Sequence, residues 1–304
     1  MPGPTSSLAG KPEVAGSCDA RRTIALSRRV RERTWWTLCA FSLVPVVVPV
    51  VWILERVVSR AVSLWRLDVL WEPAGGQGLG LSNAIVGTCV LVMGVALIAG
   101  TVGIGTGVYL AEVSRPGLLR TVLRSTSEVL SGVPCVVFGY FGYLALVVGL
   151  RWGYSLLPAL FALSLLVVPY IAKATELSLS EVPLAYREGA EALGMAKTHL
   201  LRRIVLKAAV PGIATEVIFA LAISVGETAP LLYAAGWTGA YPSVALIHQP
   251  IGYLTHATWP FYDEPSAAAQ QLAYDSALLI VLVVLCLILT ARLVSRLSAR
   301  IAPE

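Results

Sequence analysis

Charge is what this 304-residue sequence has least of: 13% of its residues are Asp, Glu, Lys or Arg, against 57% that are hydrophobic. A soluble domain carries roughly 25% charged residues. The scarcity excludes an ordinary water-soluble globule, because uncharged runs longer than about 18 residues recur along the chain and read as bilayer spans. Histidine is limited to His199, His248 and His256, and none stands near Cys or a carboxylate at metal-ligand spacing, so no metal centre is expected. Cysteines number 5, an odd count, and Cys39, Cys89, Cys135 and Cys286 fall inside apolar runs, where Cys acts as a small hydrophobe instead of part of a disulfide framework. No glycine-rich loop ending in Gly-Lys-Ser/Thr occurs, so the chain has no ATP site of that kind. Basic residues are also missing from the whole stretch between Lys207 and Arg292.

What is present follows a membrane pattern. Residues 1–33 combine Pro, Gly and Ser with a basic stretch from Arg21 to Arg33; too little apolar surface is available to offset ordering, and a disordered cytoplasmic tail is expected. Apolar runs then fall at about 34–54, 83–109, 129–150, 152–172, 210–234 and 274–294. Together they predict an all-α polytopic membrane protein with six transmembrane helices, a membrane domain over 34–296 and a short tail at 297–304. The first run resembles a signal peptide in following basic residues, but its length, Pro45 and Pro49, and the lack of a small-residue cleavage site predict a retained span. Runs three and four are separated only by a turn around Arg151, which makes them an antiparallel hairpin. In the second run Gly94, Gly100, Gly103, Gly105 and Gly107 suggest close helix packing. With the N-terminus inside, all of the 23 Lys and Arg except Arg56, Arg60, Arg66 and Arg151 fall on the cytoplasmic side. Both termini are therefore expected in the cytoplasm of a cell whose plasma membrane holds the chain. The formal net charge of +5 is then a topology signal, and the partner it implies is the lipid bilayer, with no nucleic acid.

The longest cytoplasmic loop, 180–209, is amphipathic. Tyr186, Ala190, Leu193, Leu200 and Ile204 recur at helical spacing as one apolar face, with Arg187, Glu188, Glu191, Arg202 and Arg203 mostly elsewhere. Gly194 interrupts the helix, which is costly unless a bend or a close contact needs it. Two short helices joined by a glycine turn would present a knob to a cytoplasmic partner; an interfacial helix on lipid headgroups fits the same periodicity.

Two carboxylates stand in the fifth run. A charged residue facing lipid costs about 3 kcal/mol or more near the bilayer centre, so Glu216 and Glu227 should face protein or water. At about 100° per residue they share one helix face, about 16 Å apart. Glu216 lies near the boundary that Lys207 marks and can reach the interface. Glu227 is deeper, in Gly226-Glu227-Thr228-Ala229-Pro230, where Pro230 makes either a simple kink or a gate. Trp237, Tyr241, Tyr253, Trp259, Phe261 and Tyr262 in the segment after it suit a membrane-interface belt.

At these residues the chain resembles a known family. Glu188, Gly189 and Ala190, then Gly194, then Ile204, Val205 and Leu206 match the spacing of the EAA loop of ATP-binding-cassette (ABC) importer permeases. The stretches "VPLAYREGAEALGMAKTHLL", "SGVPCVVFGYFG", "GIGTGVYLAE" and "GETAPLLYAAG" resemble the PstA family of phosphate permeases, over roughly residues 80–295. The resemblance implies a type I, MetI-like permease fold and transport of inorganic phosphate by alternating access. It implies a PstC-like second permease, two PstB-like ATPase subunits that bind ATP and Mg, and an extracytoplasmic PstS-like phosphate-binding protein, for which the aromatic segment after Pro230 is a docking surface in the alternative to a belt. No cofactor and no ATPase site belong to this chain in that scheme. Glu188, Gly189, Ala190, Gly194, Ile204 and Leu206 become the ATPase-docking loop, with Glu188 as ionic anchor and Gly194 allowing close approach. Glu227, Thr228, Pro230 and Glu216 become the translocation path. The chain departs from the family pattern in having Gly189 at the second EAA position, Lys207 for a proline, and Ile223 where an arginine stands four residues before the Glu of "GETAP". Ile223 keeps a permease for another oxyanion, sulfate or molybdate, open. An ATP-independent secondary transporter or channel would want coupling charges in its own spans, and a membrane scaffold would have no need of Glu227.

Overall fold

A computed structural model describes residues 15–63, 65–75, 78–243 and 245–299. Of the tails expected at 1–33 and 297–304, residues 1–14 and 300–304 lie outside the described residues. The described chain is helical apart from a small antiparallel ribbon pairing Ala74 with Leu79 and Gly75 with Gly78. In order come α1 (Ala15–Ser63), α2 (Ser82–Val108), α3 (Leu118–Gly132), α4 (Cys135–Gly142), α5 (Leu156–Ser180), α6 (Leu184–Ala192), α7 (Lys197–Leu200), α8 (Leu206–Gly226), α9 (Ala229–Ala234), α10 (Leu254–Asp263) and α11 (Ala267–Ala299). π-Helical segments extend α2 over Tyr109–Val113 and α4 over Tyr143–Gly149, and join α7 to α8 over Leu201–Val205.

The described residues divide after Arg56 into two separate compact units. The first is mostly α1, with Pro45 and Pro49 inside the helix and exposed Trp36 and Phe41, side chains suited to lipid. Helix α1 takes in residues 15–33, which composition places in a disordered tail. Charge marks where an apolar run begins, but Ala, Leu and Arg favour a helix whether or not it is apolar.

In the described residues five helices are long and apolar enough to cross a membrane: Glu32–Ser63, Ser82–Val113, Leu156–Ser180, Lys197–Gly226 and Ala267–Leu297. The pair Leu118–Gly132 and Cys135–Gly149, bent by 103° at its break, makes a sixth crossing if the two halves count as one span. The run read as one span at 129–150 is thus interrupted. Pro134 has no N–H to donate and forces Val133 into an extended conformation, φ −77° and ψ 132°.

The fifth run, read as one helix over 210–234, is interrupted as well. Helix α8 stops at Gly226, Glu227 is extended at φ −74° and ψ 126°, and the chain resumes as α9 with Pro230 in its first turn. In an unbroken helix the Pro230 ring would meet the carbonyl four residues back, that of Gly226. Glu216 and Glu227 therefore do not share one helix face, and the 16 Å helical spacing between them does not hold.

The core of the second unit forms where α5 packs on α2, with Val95, Ala99, Leu163, Val167 and Ile171 buried. Only some of the glycines of α2 make that approach possible. A Cβ at Gly107 would lie 2.5 Å from the Ala172 carbonyl oxygen, and one at Gly103 2.7 Å from the Ile171 Cβ, whereas Gly100 and Gly105 meet nothing within 4 Å. Gly107→Val is expected to cost about 1–3 kcal/mol through overpacking and to lower the detergent-extracted melting temperature, while Gly105→Ala leaves it unchanged. Thermal unfolding followed by size exclusion reads both.

The aromatic segment after α9 divides. Tyr253 is buried, and Trp237 stacks on His256 at 4.8 Å, so this part packs inward and is not an interface belt. Tyr241, Trp259 and Tyr262 stay exposed.

Candidate functional site

The loop between α5 and α8 folds as two short helices on an apolar base. Pro183 opens α6, a position where its missing N–H costs nothing. Helix α6 ends at Ala192, and Gly194 turns the chain with φ +71°, a left-handed conformation that glycine adopts without the clash other residues meet. The turn is closed by Gly194 N–H donating to the Glu191 carbonyl at 2.9 Å and Met195 N–H to that of Ala190 at 3.1 Å. Ala190, Leu200 and Val205 are buried against Leu179, Val182, Ala209 and Ile213, with Ile204 and Leu206 half-buried beside them. Tyr186 and Leu193, expected on the same apolar face, are instead exposed at 47% and 81%. The Gly194 turn resets the helical phase, so one period does not run through both helices. Glu188, Gly189 and Gly194 face outward, and a Cβ at either glycine would meet nothing within 4 Å. The surface around Glu188 is thus open to close approach by another protein.

One residue of this loop points inward where periodicity placed it with the solvated charges. Arg187 forms a two-pronged ion pair with Glu112, Nη2 to Oε1 at 2.7 Å and Nη1 to Oε2 at 2.8 Å. Its Nη2 also donates to the Leu179 carbonyl at 3.0 Å. Hydrogen bonding to the Glu112 carboxylate raises the Arg187 pKa, so the guanidinium stays charged. A single side chain thereby ties α6 to the end of α2 and the end of α5. In the sequence the only trace is an acid closing the second apolar run, with nothing to say which base it meets.

The second group of expected residues lies at the helix breaks. The Cys135 thiol, at the start of α4, lies beside the Glu227 carboxylate. Thr255 Oγ1 donates to the Glu227 carbonyl at 3.2 Å. Behind them α4 lies against α9: a Cβ at Gly139 would stand 2.6 Å from the Pro230 Cα. The interruptions of the third and fifth crossings therefore meet at Cys135 and Glu227. Thr228 lines a 680 Å³ cavity with Gly226, Thr255, His256 and Tyr274, and Pro230 is buried. Glu216 is exposed and borders a different, 350 Å³ cavity with Ser178, Glu181 and Gly212, so the two carboxylates are parts of separate sites. Sequence reasoning missed Cys135 as a neighbour of Glu227. It also began the last span at Tyr274 and passed over Asp275, a buried carboxylate whose Oδ1 accepts from Gln271 Nε2 at 3.0 Å.

With this geometry in place, the chain can be set beside known proteins. The family model for the "Binding-protein-dependent transport system inner membrane component" matches residues 103–303. Over 295 residues the chain is 48% identical to "Phosphate transport system permease protein PstA 2" of Mycobacterium bovis and of Mycobacterium tuberculosis, covering 97% of this chain and 98% of each relative. The chain belongs to the PstA permease family. The PstA of Yersinia pestis is 35% identical over 279 residues, 91% of this chain and 94% of that protein. In fold the chain is similar to permease chains in inward-facing structures of the MetNI methionine ABC transporter. The native crystal form superposes with a TM-score of 0.59 at 20% identity, covering 72% of this chain and 95% of that one. The selenomethionine-soaked form gives 0.53 at 19%, covering 70% and 95%. The all-helical architecture is thus the MetI-like ABC importer permease fold. As a PstA-family permease the chain is a multi-pass membrane subunit of an ABC transporter complex; it is not the ATPase and carries no cofactor, ATP being bound by a partner.

In this setting the Arg187–Glu112 pair acquires a test. Either Arg187→Gln or Glu112→Gln alone is expected to reduce transport several-fold by leaving one partly buried charge unpaired, and the exchange Arg187→Glu with Glu112→Arg to restore part of it. Transport assayed for the single variants and the exchange gives the coupling directly.

Proposed function

We propose that the chain is the PstA subunit of a phosphate importer of a bacterial plasma membrane, both termini cytoplasmic, working with a PstC-like permease, two PstB-like ATPases and a PstS-like binding protein. The observation that carries this is identity over nearly the whole length of relatives named phosphate transport permeases. The cytoplasmic bias of Lys and Arg supports the orientation.

The geometry supports a division of labour. Glu188, Gly189, Ala190 and Gly194 form the docking surface and turn for the ATPase, with Ile204 and Leu206 in the apolar base that carries its movement into α8. Closure of the ATPases on ATP displaces α6 and α7, and the buried base with Arg187 passes the displacement to α2, α5 and α8. The breaks at Val133-Pro134 and Glu227-Thr228 are where spans can re-angle, because interrupted helices bend at the interruption. Glu227, Thr228 and Pro230 then border the path. Glu216 sits outside that cluster, and its place is nearer the cytoplasmic end.

A carboxylate alone repels phosphate, so the path needs cations from outside the stretch between Lys207 and Arg292. Ile223 at the position of the family arginine favours one second reading, a permease for another oxyanion. The two separate in the assembled complex: phosphate-loaded binding protein is expected to stimulate ATP hydrolysis, and sulfate or molybdate is not. Stimulation by sulfate or molybdate in place of phosphate would establish the second reading.

A further inference from the structure

We propose that the open cavity between α3, α5, α6 and the end of α2 is an anion vestibule, in which Arg120, Arg124 and Lys173 hold a tetrahedral oxyanion between the Glu227 break and the ATPase side. The proposal rests on the transport reading above and supplies the positive charge that the fifth crossing lacks.

Helix α3 is the first half of the bent pair, yet it carries Arg120, Arg124, Ser127, Glu128 and Ser131 at helical spacing along one side. The opposite side bears the exposed Leu119, Val122 and Val129. A charged stripe on a crossing segment must look onto protein or water, since lipid contact is costly. The stripe has definite ends. At one, α3 stops at Gly132 and the chain passes through Pro134 to Cys135, which contacts Glu227. At the other, Arg120, Arg124, Ser127 and Glu128 border a 710 Å³ cavity that Lys173 and Glu176 of α5, Glu112 at the end of α2 and Arg187 of the coupling loop also line, room enough for a hydrated anion. A continuous polar side of one helix thus links the deep carboxylate to a chamber beside the coupling loop whose four cations exceed its three carboxylates.

The charges in the chamber are arranged for loose holding. Arg187 is occupied by Glu112 and Arg124 pairs with Glu176 across the α3–α5 contact. Among the described residues Arg120 and Lys173 make no ion pair, and neither does Glu128, so two free cations face one free carboxylate. Arg124 is half exposed, so its pair with Glu176 is weakened by water and an arriving dianion can take its place. A site that must release its ion gains from such competition.

The test uses Ser127→Cys in the assembled, membrane-reconstituted complex, labelled from the ATPase side with an anionic and a cationic thiosulfonate of similar size, and corrected for labelling of the chain without that substitution. With Arg124 and Lys173 present, the anionic reagent is expected to be favoured roughly fivefold over its ratio in the Arg124→Gln, Lys173→Gln double variant, and millimolar phosphate to slow labelling. The double variant should also lose about tenfold in phosphate uptake while Arg124→Lys, Lys173→Arg retains it, which separates charge from folding. An unchanged reagent ratio with no protection by phosphate overturns the vestibule. So does a double variant that imports as fast as the parent chain; in that case the importer reading survives. A parent complex that moves another oxyanion removes the phosphate reading alone, and the labelling ratio still decides the vestibule.

Discussion

Glu188→Lys is expected to leave the chain folded and inserted but to strip the ATPase from it. Glu188 is exposed on α6 and makes no ion pair among the described residues, so the fold loses nothing when its charge is reversed. If Glu188 is the anchor in a partner's cleft, the reversal both removes a charge-assisted contact and places like charges together, a loss of about 3–5 kcal/mol in a desolvated interface. That is on the order of a hundredfold or more in affinity. Gly194→Val should act the same way by a different route. The space around Gly194 is open, so the penalty comes from φ +71°, which a β-branched residue resists by about 1–2 kcal/mol or more and which fixes the angle between α6 and α7. Co-purification of the ATPase with tagged permease measures both, with size-exclusion behaviour as the check on folding. Retention at the level of the parent chain in both variants would remove the docking role of the loop.

Glu227→Gln is expected to have the second large effect, a drop of at least about tenfold in phosphate uptake, or 1.4 kcal/mol, with assembly and ATPase docking intact. The amide keeps the shape and most hydrogen-bonding capacity of the carboxylate, including a contact with Cys135 and the backbone bond from Thr255. Only the charge is lost. A change confined to transport therefore assigns the effect to charge at the junction of the two broken crossings. Gly139→Leu makes the complementary case: a side chain there would collide with Pro230, separate α4 from α9 and reduce the amount of assembled protein. Full uptake by the Glu227→Gln variant would show that the deep carboxylate plays no part in the path.

Much of this architecture is legible in the chain because hydropathy is a one-dimensional signal. Long uncharged runs mark crossings wherever lipid is the solvent, and the Arg151 turn and Gly194 interruption are local features that a local reading finds. The breaks were legible in part. Pro134 and Pro230 are helix punctuation, but apolar residues on both sides keep hydropathy high across each break, so the runs read as continuous and Glu227 as helical. The single apolar face drawn through Tyr186, Ala190, Leu193, Leu200 and Ile204 failed for a related reason: a periodicity carried past Gly194 loses its phase. Contacts between distant segments leave no local trace. Arg187 with Glu112, Arg124 with Glu176, and Cys135 with Glu227 join residues far apart in sequence, and nothing in the spacing of either partner announces the other.

The central claim, that this chain carries phosphate through a membrane when a partner hydrolyses ATP, is tested most directly by uptake into liposomes. The complex of this permease with its second permease and ATPases is reconstituted, the binding protein is supplied outside and ATP inside, and labelled phosphate entry is followed against sulfate and molybdate. The account predicts phosphate accumulation that needs both ATP and the binding protein and that excess sulfate or molybdate does not inhibit. Phosphate entry that ignores ATP, or accumulation of another oxyanion in its place, would contradict it.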